Sequence, residues 1–218
     1  MPKRSNKRCR ILLADDHAVV RQGLQALLKQ DFDIVGAVRD GRALVREAER
    51  LEPDLVLIDI SMPMLNGIEA TLQLRQRSPR IKIVVLTMHA DVTFATEVLQ
   101  AGASAYLLKN APVEEIKIAI QRVLRGEKYV TPQFAKGILP SVQSSSRRAH
   151  LPIARLTGRQ REVLQLLAEG RAGKQIAALL CVSPRTVEFH KYKMMEKLGL
   201  HSTADLTRYA VKHGIIST

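Results

Sequence analysis

The 218-residue sequence predicts an α/β fold, a doubly wound parallel sheet of five strands, followed by a small all-α domain of four helices. Three observations carry that expectation. From Arg10 to about Gly126, short apolar runs alternate with helical periodicities. Single polar residues follow several of those runs directly. Beyond Arg155 only helical patterns occur.

The strands are expected at Ile11 to Ala14, Ile34 to Val38, Leu55 to Ile58, Ile81 to Leu86 and Ala105 to Leu108. Each is a short, predominantly apolar run, the signature of a parallel strand buried on both faces. Between them, Val19, Val20, Leu24, Leu27 and Leu28 mark one face of a first helix, and Ile68, Leu72 and Leu74 part of a later one. After Pro112, the positions Val113, Ile116, Ile120, Val123 and Leu124 mark the last. Pro112 suits a first helical turn, with Glu114 and Glu115 at its positive end. Five βα units imply right-handed crossovers.

From about Glu127 the pattern breaks down, and SVQSSSRRAH between Pro140 and Pro152 has a linker's composition. Helices follow at roughly 157–169, 173–180, 184–198 and 202–213. The expected organisation is a basic arm over 1–9, an α/β domain over 10–130, a flexible linker over 131–152 and a helical domain over 153–218. Charge divides along the same line. Residues 1–130 hold 20 Lys and Arg against 16 Asp and Glu, and residues 131–218 hold 14 against 5. A near-neutral first part joined to a basic second part points to a polyanionic partner for the second, or to a generally basic solvated surface. The absence of Trp weakens a reading built on base stacking. No stretch approaches the ~18 apolar residues of a membrane span, and MPKRSNKRCR lacks the apolar region of a signal peptide, so a cytoplasmic chain with no membrane partner is expected. Cys9 and Cys181 read as free thiols, with Cys181 buried and unreactive.

In an open parallel sheet, ligands sit at the carboxyl ends of the strands, near the point where strand order reverses. Asp15 and Asp16 follow the first strand in RILLADDH, Asp59 ends the third in PDLVLID, Thr87 ends the fourth in KIVVLT and Lys109 ends the fifth in AYLLK. Taken singly, Asp16 and Thr87 could be helix caps, Asp59 a loop residue and Lys109 a solvated charge. Taken together they form a crevice of carboxylates. Two charges ~4 Å apart repel by about 4 kcal/mol at an effective dielectric of ~20, so such a cluster requires positive charge among its members. Lys109 supplies part of it. A divalent cation would supply the rest, and oxygen-only ligands with open positions suit Mg²⁺, held by Asp16, Asp59 and the backbone carbonyl of Ser61. In that setting Asp59 is a carboxylate nucleophile able to take a phosphoryl group, with Lys109 and the Thr87 hydroxyl on its oxygens.

The segments ADDH, LIDISMPMLNG, VLTMH and AGASAYLLK together resemble the receiver domain of bacterial two-component response regulators, a flavodoxin-like fold, from Arg10 to about Val130. The resemblance implies that Asp59 is the phosphoacceptor, Asp15 and Asp16 the acidic pair at the metal, and Thr87 and Lys109 the phosphate-sensing pair. Tyr106 matches the family's aromatic switch, or is an ordinary half-buried Tyr on an edge strand. Asn110 stands where many receivers carry Pro after the lysine, which leaves the geometry of the Lys109–Asn110 peptide open. Ser61 and His89 lie at the rim, where the family tunes hydrolysis of the acyl phosphate.

In the helical part, LTGRQREVLQLLAEG gives an amphipathic helix capped at Thr157, with Val163, Leu164, Leu166 and Leu167 as its apolar face. GKQIAALLCVSPRTVEFHKYKMMEKLG then reads helix, short turn, helix, with Ser183 the cap and Pro184 the first residue of the second helix. There Val187, Met194 and Leu198 point inward, while Arg185, Glu188, Phe189, Tyr192 and Lys193 form a face that a major groove admits. Residues Leu156 to Ile216 resemble the LuxR-type four-helix DNA-binding domain. That implies a recognition helix at 184–198 and a dimer-forming helix at 202–213. Lys174, Ser183, Thr186, His190, Lys191 and Lys193 would hold phosphates or base edges, or else form a solvated basic face. Glu188 either accepts from a cytosine amino group or only contacts Tyr192, and Phe189 could pack on a thymine methyl.

The resemblances imply a phosphorylation-regulated transcription factor, not an enzyme, partnered by a sensor histidine kinase and double-stranded DNA and homodimeric when phosphorylated or DNA-bound. Two other readings fit parts of the sequence. A Mg²⁺-dependent phosphohydrolase or nuclease would also combine acidic cluster and basic domain, but the pocket offers only Lys109 and a rim His89 as proton carriers. Alternatively, the first domain is a constitutive dimerisation module. The join between the domains has two forms. The first domain covers the recognition helix, or phosphorylation promotes dimers that raise the effective concentration of paired half-sites.

Overall fold

The computed structural model describes residues 8–88, 90, 92–133 and 156–216, so most of the expected arm and linker lies outside the described residues, as does His89. The first part runs β1 (Arg10–Ala14), α1 (Ala18–Leu28), β2 (Asp33–Val38), α2 (Gly41–Leu51), β3 (Leu55–Asp59), α3 (Gly67–Arg77), β4 (Lys82–Thr87), α4 (Val92–Ala101), β5 (Ala105–Leu108), α5 (Val113–Leu124) and β6 (Tyr129–Val130). The second part holds α6 (Gly158–Ala168), α7 (Gly173–Leu180), α8 (Pro184–Leu198) and α9 (Thr203–Lys212).

The strands form one parallel sheet in the order β2-β1-β3-β4-β5-β6. That is one strand more than the five expected. The sixth, Tyr129–Val130, pairs beside Ala105 and Tyr106. Two residues show no periodicity, and the strand forms because the chain turns back along β5 after α5. The order reverses between β1 and β3, which puts the switch point between the ends of those two strands.

Alternation along each strand divides the core into two layers. Leu12, Ala14, Val56, Ile58, Ile83, Val85 and Tyr106 face α2, α3 and α4. Ile11, Leu13, Leu55, Leu57, Val84, Leu86 and Leu107 face the other side, against Leu28 of α1 and Ile116, Ile120 and Val123 of α5. Covering both faces makes the strands continuous apolar runs, each buried aliphatic side chain contributing about 1.5–3 kcal/mol.

The face expected for α1 is narrower than its sequence suggested. Leu28 is buried and Leu24, one turn earlier, packs against the core, whereas Val20 is only half-buried, Val19 is 83% exposed and Leu27 is also exposed. Leu124 likewise ends on the outside of α5. Pro112 precedes α5 as its N-cap, with Glu114 and Glu115 in the first turn as expected.

In the helical part, Thr157 and Gln160 close a capping box on α6, and Ser183 caps α8 by accepting from the Thr186 N–H, with Pro184 at the first helical position. Val163, Leu164, Leu166, Val187 and Met194 pack with Leu206 and Ala210 of α9 into a separate core. Cys181 is a correction. It is exposed, and its backbone adopts φ +52° to end α7, so it carries the left-handed turn that glycine usually supplies and its side chain points to solvent.

Candidate functional site

Every residue of the expected crevice sits at the carboxyl edge of the sheet. Asp15 follows β1, Asp59 ends β3, Thr87 ends β4 and Lys109 follows β5. Asp15, Asp59 and Thr87 are buried. The Lys109 ammonium lies 2.9 Å from Asp15 Oδ2 and 2.8 Å from Asp59 Oδ2, so one cation bridges the ends of β1 and β3. The Lys109 backbone N–H donates to the Thr87 carbonyl at 2.8 Å, which extends the β4–β5 ladder and fixes the lysine's origin. No cis peptide occurs among the described residues, so the Lys109–Asn110 bond is trans and Asn110 fits in place of Pro without its cost.

The loop after Asp59 is equally determined. The Ser61 backbone N–H donates to the Asp59 carboxylate, and the Gly67 N–H donates to the Ile60 carbonyl at 2.8 Å. A Cβ on Gly67 would stand 2.3 Å from the Asp59 carbonyl oxygen, so only glycine lets α3 start this close to the end of β3.

The electrostatics follow from burial. Burial pushes the Asp59 carboxyl above the usual carboxylate range. The Lys109 ammonium draws it back, and neighbouring Asp15 pushes it up again. Burial acts to lower the Lys109 ammonium, but the bonds to Asp59 and Asp15 outweigh it and the net shift is upward. The crevice holds more negative charge than one lysine neutralises.

Asp15, Asp16, His17 and Asp59 offer ligand atoms that all lie within 4.8 Å of one another. The donor set and the surplus charge fit a hard divalent cation. His17 is the member sequence reasoning passed over. Its Nδ1 lies 2.8 Å from Asp16 Oδ1 and 3.4 Å from Asp15 Oδ1, and its side chain is largely exposed. Its one signal was position, directly after the acidic pair. Tyr106 is fully buried on β5, in the layer that faces α4, not half-buried at an edge.

In the helical part, α8 presents the expected face. Phe189 and Tyr192 are 57% and 64% exposed, and Ser183, Arg185 and Lys193 are exposed beside them. Lys174 is exposed in the first turn of α7. Thr186, Glu188, His190 and Lys191 are half-buried. Glu188 pairs with Lys191 at 2.9 Å, one turn along, and not with Tyr192. Burial, helped by the charge of Arg159, holds His190 below the usual histidine range.

Residues 11–121 match the family model described as the response regulator receiver domain, and residues 154–210 match that of the bacterial regulatory proteins of the luxR family. The chain belongs to the two-component response regulators with a LuxR-type DNA-binding domain. It is a response regulator transcription factor, of a family that is not classically enzymatic.

Among its relatives, the oxygen regulatory protein NreC of Staphylococcus aureus is 38% identical over 214 residues, covering 95% of this chain and 99% of NreC. The response regulator GacA of Pseudomonas aeruginosa is 35% identical over 210 residues, covering 95% and 97%. RcsB, solved as two dimers bound to two parallel DNAs, is similar with a TM-score of 0.57 and 26% identity over 93% of this chain and 98% of that one. Among the described residues of this response regulator, no helix is long and apolar enough to cross a membrane. Phe189 and Tyr192 on the outer face of α8 stay exposed with the receiver in place. Among the described residues, the receiver's contacts with the DNA-binding domain include α6, the end of α7 and the residues after α9.

Proposed function

We propose that Asp59 is the phosphoacceptor of this response regulator and that its phosphorylation by a partner histidine kinase controls sequence-specific DNA binding. One observation carries the reading: Lys109 bridges Asp59 and Asp15 at the switch point of the sheet, in a pocket with surplus negative charge. An Asp59 carboxylate oxygen attacks phosphorus, the bond from phosphorus to the donor imidazole nitrogen breaks, and the imidazole leaves with a proton. Lys109 then donates to the new phosphoryl oxygens in place of the lost carboxylate charge, and the Thr87 hydroxyl does the same from the end of β4. Asp15, Asp16, Asp59 and the backbone carbonyl of Ser61 would hold Mg²⁺, which when bound neutralises charge on the transferring group. Tyr106, packed between β5 and α4, is positioned to report the state of Thr87.

On the DNA side, Lys174, Ser183, Arg185, Lys191 and Lys193 supply phosphate contacts. Thr186, Glu188, Phe189, His190 and Tyr192 meet base edges. The dimers of RcsB on DNA support a homodimer as the binding form here. A cytoplasmic site of action accompanies this reading. The test is phosphotransfer from labelled acetyl phosphate in Mg²⁺. Wild type takes up label and Asp59→Asn does not, and equal labelling of the two would overturn the assignment of the nucleophile.

A further inference from the structure

Asp15, Asp16 and His17 join the end of β1 to the start of α1, and His17 stands where the helix is capped. Its backbone is extended, at φ −77° and ψ 109°, but its ring accepts no N–H of the first turn. Capping is the common reason for a polar residue at such a place, and His17 does not serve it. Its backbone N–H donates to Asp15 Oδ1 at 2.8 Å, which ties the residue to a buried acid and fixes the origin of the ring. The ring lies over the acidic pair, with Nδ1 2.8 Å from Asp16 Oδ1 and 3.4 Å from Asp15 Oδ1.

The contact with Asp16 is close without being a hydrogen bond. Asp16 Oδ1 is shielded from solvent, and among the described residues no donor is aligned on it. A carboxylate oxygen and an imidazole nitrogen in that relation are placed as two neighbouring ligands of one cation. The distances agree. Around a six-coordinate ion with bonds of about 2.1 Å, adjacent ligand atoms stand about 3 Å apart and opposite ones about 4.2 Å. The two separations of His17 bracket the adjacent value, and the ligand atoms of Asp15, Asp16, His17 and Asp59 all fall within 4.8 Å. Lys109 lies against Asp15 Oδ2 and Asp59 Oδ2, so Asp16 and His17 form the side of the pocket where positive charge is missing.

We propose that His17 is a metal ligand through Nδ1, and that it gives the pocket a preference for first-row transition dications, from Mn²⁺ to Co²⁺, over Mg²⁺. This rests on the acidic pocket being the cation site of the phosphotransfer reading. Mg²⁺ is a hard ion that keeps oxygen ligands and its waters, and it gains little from an imidazole. Mn²⁺, Fe²⁺ and Co²⁺ bind imidazole with strength rising along that series. Three carboxylates alone would hold these ions more evenly, and the added nitrogen separates them. The His17 side chain is 63% exposed, so its ring meets an incoming ion without disturbing the core.

The test uses the full chain without a histidine tag. Calorimetry gives the affinities of Mg²⁺, Mn²⁺ and Co²⁺, as chlorides, for wild type, His17→Gln and Asp59→Asn. His17→Gln is expected to weaken Co²⁺ by at least the roughly 10-fold that loss of an outer-shell partner already costs, to weaken Mn²⁺ by less, and to leave Mg²⁺ nearly unchanged. Asp59→Asn removes a carboxylate that every ion uses and is expected to weaken all three. Pulsed electron paramagnetic resonance of the Mn²⁺-loaded chain is the second readout. Wild type should show coupling of an imidazole nitrogen to the metal, and His17→Gln should lack it with Mn²⁺ still bound. If His17→Gln weakens all three ions by one factor, the residue only tethers Asp16. That outcome, or a wild type without nitrogen coupling, overturns the ligand role while the acidic site stands. Co²⁺ binding that ignores Asp59→Asn would put the ion elsewhere on the chain and overturn it as well. If wild type binds none of the ions, the cation site of the proposed phosphotransfer falls too.

Discussion

The Lys109 ammonium lies 2.8 Å from Asp59 Oδ2, with both groups almost wholly buried, and the same ammonium reaches Asp15 at 2.9 Å. Removing the cation leaves two buried carboxylates facing each other. Breaking a buried pair by deleting one partner costs about 3–5 kcal/mol, so Lys109→Met should lower the unfolding free energy by about that amount in urea titrations at pH 7. The pH dependence has a definite sign. The folded-state pKa of Lys109 lies above its unfolded value of 10.5, so its contribution is fully present below that value and is lost as pH rises through the folded pKa. Wild type and Lys109→Met should therefore converge in strongly alkaline solution, and a constant gap to the end of the alkaline range would contradict the pairing.

Asp59 behaves in the opposite sense. Burial raises its carboxyl above 3.8 more than Lys109 lowers it, so the charged form is disfavoured in the folded chain. Its contribution is present below pH 3.8 and is lost as pH rises through the folded pKa, which leaves the charged residue a net cost at neutral pH. Asp59→Asn should then be more stable than wild type at pH 7 in metal-free buffer. The gap should close as the solution is acidified. Lys109 retains Asp15 in the variant, so the lysine is not stranded. A variant less stable than wild type at pH 7 would mean the pair with Lys109 outweighs burial.

Glu97 of α4 offers a third titration. Burial raises its carboxyl to about 7, and the charge of Arg161 on α6 partly offsets the rise. Because the folded value exceeds the unfolded 4.5, its contribution is present below pH 4.5 and is lost as pH rises through about 7. Wild type should lose stability relative to Glu97→Gln by about 1.4 kcal/mol between pH 6 and pH 8, the tenfold change that such a pair of values gives. Denaturant midpoints at the two pH values check this. Arg161→Ala should move the transition to higher pH, because it removes an attraction for the charged form that opposes burial.

The sheet and its acidic crevice were legible because each rests on a local pattern. Apolar runs announce buried parallel strands, and Asp15, Asp59, Thr87 and Lys109 announce themselves by following such runs directly. What stayed hidden depends on partners distant in sequence. Tyr129–Val130 is a strand only because β5 lies beside it. His17 has the look of an exposed loop histidine, and only the placement of Asp15 and Asp16 brings its ring to the cluster. Gln165 sits on what an isolated amphipathic helix would show as a polar face, and the receiver loop turns that face into an interior. Val19 and Leu27 mark the converse error. Counted as apolar they widen the α1 stripe, but at 100° per residue Val19 falls well off the side of Leu24 and Leu28, and Leu27 lies at its edge, where solvent reaches it.

On α8, the charges that compete for the Lys residues predict how DNA binding depends on salt. Lys191 pairs with Glu188 at 2.9 Å and Lys193 with Glu196 at 2.8 Å, both within one turn of the same helix. Exposed pairs of this kind hold weakly, so a phosphate can displace either carboxylate, but each carboxylate left on the face repels the polyanion. Glu188→Gln should raise affinity for duplex DNA of arbitrary sequence and steepen the dependence of log K on log salt by roughly one unit, the share of one further phosphate contact. Arg185→Ala should weaken binding to all sequences alike and flatten the slope by about the same amount. Phe189→Ala, with no charge to change, should leave the slope alone and lower only discrimination among sequences. Fluorescence anisotropy on one duplex across a series of salt concentrations separates the three. A Phe189→Ala slope that moves with Arg185→Ala would show that the aromatic acts through the backbone contacts and not through the bases.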